Sequence, residues 1–142
     1  MKPRTFILIG IVLIAFVLII VFRIGLNGQG EDSWIKNEKG VWVKHGFPST
    51  TPEEVLEQQK AITDAFNLYT RAKLSGMQFS SQCLGIVGKG DAVGNGLYVA
   101  DIIHVPRTDE DNEVENQCPD YINGKAKNFI ELDKDGNLIK VG

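Results

Sequence analysis

The chain has 142 residues, with 15 Lys and Arg against 18 Asp and Glu and a formal net charge of −3. From residue 24 onward the balance is near −6, because Lys2, Arg4 and Arg23 precede it and no acid does. Such a surface disfavours nucleic acid and disfavours lying flat on anionic lipid.

Residues 6–22 form an uncharged apolar run with a single glycine, Gly10. As a helix it would be about 26 Å long, against a hydrocarbon core of about 30 Å. Ile24 and Leu26 extend it if Arg23 snorkels to the headgroups. We read residues 1–26 as a single-pass anchor with a short cytoplasmic amino terminus. Lys2 and Arg4 place that end inside by the positive-inside bias. The competing reading is a cleaved signal peptide. Its apolar region is normally about 7–15 residues, and the best cleavage candidate here, Gly28-Gln29-Gly30, lies well past the run. The anchor leaves about 110 residues, enough for one modest domain outside the membrane.

Residues 27–51 read as a linker holding a hairpin. Trp34–Lys36 and Val41–Lys44 are apolar arms around Asn37-Glu38-Lys39-Gly40, a turn ending in glycine. Both tryptophans, Trp34 and Trp42, lie here. They are candidates for contact with a partner or the membrane interface, beside the plainer reading of self-packing. The run Trp34…Gly40-Val41-Trp42-Val43-Lys44-His45-Gly46 resembles a segment of small uncharacterised bacterial membrane-anchored proteins. Lys36 stands where that pattern carries a cysteine. The resemblance implies a bacterial envelope location.

Residues 52–142 read as an exported α+β domain. Thr51-Pro52-Glu53-Glu54 signals a helix start, and the helix should reach Leu74, with Gly76 just past its end. Val55, Ile62, Ala65, Phe66, Tyr69 and Ala72 form its apolar stripe, softened by Gln58 and Gln59. Strands are expected at 78–87, 97–105, 127–133 and 138–141. Leu97–Val105 is apolar on both faces and so interior. The expected sheet is small, antiparallel and about four-stranded. Cys83 and Cys118 should form one disulfide tying the loop 107–125 to the sheet.

The chemistry-bearing stretches are few. Gly88–Gly96 has the wrong glycine spacing for a dinucleotide fingerprint and lacks the Gly-Lys-Ser/Thr of a phosphate loop. Asp109–Glu115 packs five carboxylates into seven residues. Asp109, Asp111, Glu113 and Glu115 are a candidate Ca²⁺ set, although the spacing fits no standard loop. Cys83 with Asp101 and His104 would be a nucleophile and its base, but Asp101 and His104 point to opposite faces of one strand.

The leading expectation is a non-enzymatic, membrane-anchored binding or structural module of the bacterial envelope, without a cofactor. A pilin-like subunit is the alternative. It would need Gly before the apolar run and Glu five residues into it, where Thr5 and Gly10 stand. A weak hydrolase or thiol enzyme is the third reading.

Overall fold

The computed structural model describes residues 32–91 and 94–142. The anchor expected at 6–22 lies outside them. Among the described residues, no helix is long and apolar enough to cross a membrane.

The hairpin forms. β1 (Ser33–Lys36) pairs antiparallel with β2 (Trp42–His45), setting Trp34 opposite Lys44 and Lys36 opposite Trp42. All four therefore share one face. Each ammonium lies over the facing indole, Lys36 at 5.3 Å and Lys44 at 5.6 Å from the ring centre. Asn37 Oδ1 closes the turn by accepting from the Lys39 and Val41 amides. Gly40 has φ +79°, and a side chain there would collide with the Val141 carbonyl, so only glycine fits.

α1 (Glu53–Leu74) starts one residue later than the sequence suggests. Pro52 occupies the cap position, and no side chain caps the helix there. Its buried stripe is Val55, Gln58, Ala61, Ala65 and Tyr69, the three-and-four spacing of a helix seated on a sheet. Phe66, expected in that stripe, lies at its margin and is 37 % exposed. Small Ala61 and Ala65 face the strands instead and permit close approach. Gln58 proves to be the hairpin's anchor: Oε1 accepts from the Trp42 amide at 2.8 Å, and Nε2 donates to the Gly40 carbonyl at 3.0 Å.

Four strands form the sheet in the order β3 (Gln82–Gly88), β4 (Leu97–Ile103), β5 (Asn128–Asp133), β6 (Leu138–Val141). The expected antiparallel sheet is corrected in one place. β3–β4 and β5–β6 are antiparallel, whereas β4 and β5 run parallel. Residues 104–127 are long enough to carry the chain back to the starting end of the sheet, which a parallel pair requires. This crossover contains a 3₁₀ turn (Asp109–Asn112) and the short α2 (Pro119–Ile122).

β4 is interior, as expected. Tyr98, Ala100 and Ile102 join the α1 core with Ile130 and Leu132, while Val99 packs with Cys118 and Ala126 of the crossover. Cys83 and Cys118 are disulfide-bonded, tying the crossover to β3. The hairpin turn reaches the far strand: the Val141 amide donates to the Lys39 carbonyl, and Lys39 Nζ donates to the Leu138 carbonyl.

Candidate active-site cleft

β4 ends at Ile103, and the chain leaves the sheet through His104, Val105 and Pro106. There it borders a cleft of about 340 Å³, with Phe79, Ile103, Val105 and Pro106 as apolar wall and Asp133–Asp135 of the β5–β6 turn along one side. Two contacts from Tyr69 fix these boundaries. Its ring stacks on Phe79 at 4.7 Å, and its hydroxyl donates to the Lys134 carbonyl at 2.9 Å. The polar groups of the cleft are Ser80, His104 and Thr108, together with Asp133, Lys134 and Asp135.

Behind His104 lies Asp111, whose side chain is fully buried. Its Oδ1 accepts from the His104 amide at 3.0 Å, and its Oδ2 accepts from the Thr108 amide at 2.7 Å. The 3₁₀ turn makes this possible by curling the chain back so that residue 111 faces residue 104. His104 Nδ1 is 3.0 Å from Asp111 Oδ1. Burial pushes the Asp111 carboxyl up, but the Thr108 and His104 amides, His104's ring and Ser81 together overcome it and hold the group at about 2. Asp111 is therefore a carboxylate. In the neutral imidazole, the Nδ1 that faces this carboxylate is the donor and Nε2 is the acceptor.

Nε2 points toward Ser80. Ser80 Oγ is 3.5 Å from His104 Nε2 and 3.3 Å from Glu110 Oε1. Ser81 Oγ and Asn116 Nδ2 both donate to the Glu110 carbonyl, clamping the crossover onto the Ser80–Ser81 segment. The disulfide fixes the same two segments three residues further on, at Cys83.

A second polar group lies deeper on the crossover face. Asp101 and Glu131 are register partners on β4 and β5, and Arg107 pairs with Glu131. One Asp101 oxygen, Oδ1, is buried with no hydrogen-bond partner among the described residues. Burial, then the Glu131 charge, push Asp101 up to about 7 against the opposing pull of Arg107.

The residues singled out from sequence fall as follows. Cys83 is bonded to Cys118 and offers no thiolate. Asp101 and His104 do not meet; each has found a different carboxylate neighbour. Trp34 donates from Nε1 to the Thr50 carbonyl, and both tryptophans are half-buried against their own domain. Of the proposed calcium set, Asp111 turns inward and its oxygens are occupied, while Asp109, Glu113 and Glu115 are exposed. Among the described residues, no three His, Cys, Asp or Glu side chains are grouped to hold a metal ion. Sequence reading missed Ser80 and the role of Asp111. Thr108-x-x-Asp111 is a capping-box pattern and marks the turn; Ser80 carries no comparable signal. Comparison of the chain with known protein families, with curated proteins and with solved structures finds no match.

Proposed function

We propose that this chain is a membrane-anchored envelope module whose extracytoplasmic domain binds a small ligand, or a small group on a partner, in the cleft at the end of β4. The cleft carries the reading. At about 340 Å³ it has the size of a small-molecule site, and it combines an apolar wall with a few convergent polar groups. The anchoring half rests on the uncharged run 6–22 and on Lys2 and Arg4 before it. The disulfide is compatible with an oxidising compartment. The resemblance around Trp34–Gly46 supports a bacterial envelope. A pilin-like role needs one helix continuing from the apolar run, and β1, β2 and Pro48 intervene before α1.

Location is tested with a membrane-impermeant maleimide on intact cells. Labelling only after reductant is expected; labelling only after lysis overturns the topology. Binding is tested by titrating the full chain in detergent micelles with ethyl butyrate and butyramide, followed by amide NMR. Shifts centred on Phe79, Ser80 and residues 103–105 are expected. A spectrum unchanged at millimolar probe overturns the cleft as the ligand seat.

A further inference from the structure

Ser80, His104 and Asp111 stand in the order nucleophile, base and orienting acid, at 3.5 Å and 3.0 Å, on the rim of an apolar cleft. We propose that the cleft hydrolyses small carboxylic esters, with Ser80 as nucleophile, His104 as general base and Asp111 as a positioning residue. The proposal rests on the cleft being a ligand site, as argued above, and adds the class of ligand and its fate.

Three observations converge on it. Asp111 is fully buried and held by two backbone amides, so the group that orients the imidazole is itself fixed. His104's ring is one-third exposed, and its outer nitrogen faces the Ser80 hydroxyl at 3.5 Å and Glu110 Oε2 at 4.0 Å. Ser80 is exposed and reachable from the cleft. The 3.5 Å separation is long for a hydrogen bond, yet nucleophile–base contacts are commonly loose before substrate binds.

The chemistry balances without a cofactor. Ser80 Oγ attacks the ester carbonyl carbon as its proton passes to His104 Nε2. The C–O bond to the alcohol breaks, and Nε2 returns the proton to the departing alkoxide. Water then gives a proton to Nε2 and adds its oxygen to the acyl carbon. Ser80 Oγ leaves, regains the proton, and the carboxylic acid departs. Esters suit the site better than amides because an alkoxide leaves more readily than an amide nitrogen. The modest volume and the apolar wall of Phe79, Val105 and Pro106 favour short acyl chains.

Glu110 is the competing acceptor. Its Oε1 is 3.3 Å from Ser80 Oγ, and a hydroxyl turned toward Glu110 is turned away from His104. This makes Glu110 the discriminating position in the test.

Full-length protein in detergent is treated with a fluorophosphonate, and the adduct is mapped by mass spectrometry. Turnover of p-nitrophenyl butyrate is followed in parallel. Adduct on Ser80 is expected, with turnover falling about 10²–10⁴-fold in Ser80→Ala and in His104→Gln. Glu110→Ala is expected to label faster. Asp111→Asn should lower turnover and change its pH profile, an effect that loss of packing alone does not produce. No adduct, an adduct on Ser81 or elsewhere, or an undiminished rate in folded His104→Gln each overturn the proposal. Loss of labelling in Glu110→Ala with His104→Gln unaffected moves the base role to Glu110 and overturns it as well. Ethyl butyrate shifting the cleft amides without any Ser80 adduct removes catalysis and leaves the binding module standing. If the probes shift no cleft amide and leave no adduct, both readings fall.

Discussion

On one face of β4, Tyr98, Ala100 and Ile102 meet Ala61 and Ala65 of α1, with Ile130 and Leu132 beside them. On the other, Val99 meets Cys118 and Ala126, and Asp101 lies between Glu131 and the charges of the crossover. The helix face is closed by apolar burial, which is non-directional and tolerant of detail. The crossover face has the smaller apolar cluster, Val99, Cys118 and Ala126 with Cys83, Leu97 and Phe129 against them. It is held by a covalent bond, by ion pairs and by hydrogen bonds donated to a buried carboxylate. The cleft opens at its edge.

The largest expected effect concerns the disulfide. With its cysteines 35 positions apart, removing it in Cys83→Ala/Cys118→Ala costs ~4 kcal/mol by the chain-entropy argument. Urea unfolding gives the magnitude. Hydrogen exchange locates it: amides of residues 104–126 should lose protection first, while the centre of α1 keeps its own. Equal loss on both faces would erase the contrast drawn above.

Next comes pH. Folded Asp101 holds its proton up to about 7, whereas the unfolded side chain releases it near 3.8. The native state binds more protons between those values, so stability falls as pH rises across that window, by on the order of 4 kcal/mol at most. The charged groups acting on Asp101 are Glu131, Arg107 and Asp111. Asp101→Asn should flatten the decline and raise the melting temperature at pH 8. Asp111 works in the opposite sense. Its folded value of about 2 lies below the ordinary 3.8, so its contribution is present above about pH 4 and disappears as pH falls toward 2. Melting temperature plotted against pH should therefore peak in mild acid. A profile flat from pH 4 to 8 would show that Asp101 is solvated.

Leu132→Ala tests the apolar face. Leu132 is fully buried, and truncation should cost ~3 kcal/mol at every pH, through lost transfer energy and the cavity left behind. The smallest effect is expected from Gln58→Ala, ~2 kcal/mol, because it strands the Trp42 amide and the Gly40 carbonyl. Trp fluorescence should then shift to longer wavelength before the sheet melts. Coincident transitions would mean that the hairpin and the sheet unfold as one unit.

The helix was legible because its period and its terminal charges agree, and the strand at 97–103 because both its faces are apolar. The β5–β6 hairpin followed from Asp135-Gly136-Asn137, where Gly136 takes φ +86°. The parallel pairing was not legible. Nothing in 104–127 announces a crossover, since that segment is neither a long helix nor strongly periodic. The cleft was hardly legible. From sequence, His104 enters only with Cys83 and Asp101, and Asp111 only as a calcium ligand, although Thr108-x-x-Asp111 carries the pattern of a capped turn. Ser80 could not be read, because its proximity to His104 depends on β3 and β4 pairing in one register and on a disulfide 35 residues long. Gln58 looked like a flaw in an apolar stripe. A buried amide with both ends bonded to a neighbouring backbone leaves no pattern along its own helix.

The Lys39 carbonyl accepts from the amide of Val141, and the Lys39 ammonium bonds the Leu138 carbonyl. β6 is one of the two outer strands of the sheet, and an outer strand offers unpaired backbone to any other chain. The turn of the tryptophan hairpin covers part of that edge. With residues 33–45 undocked, β6 would be bare, and molecules crowded on one surface would be the first to join edge to edge.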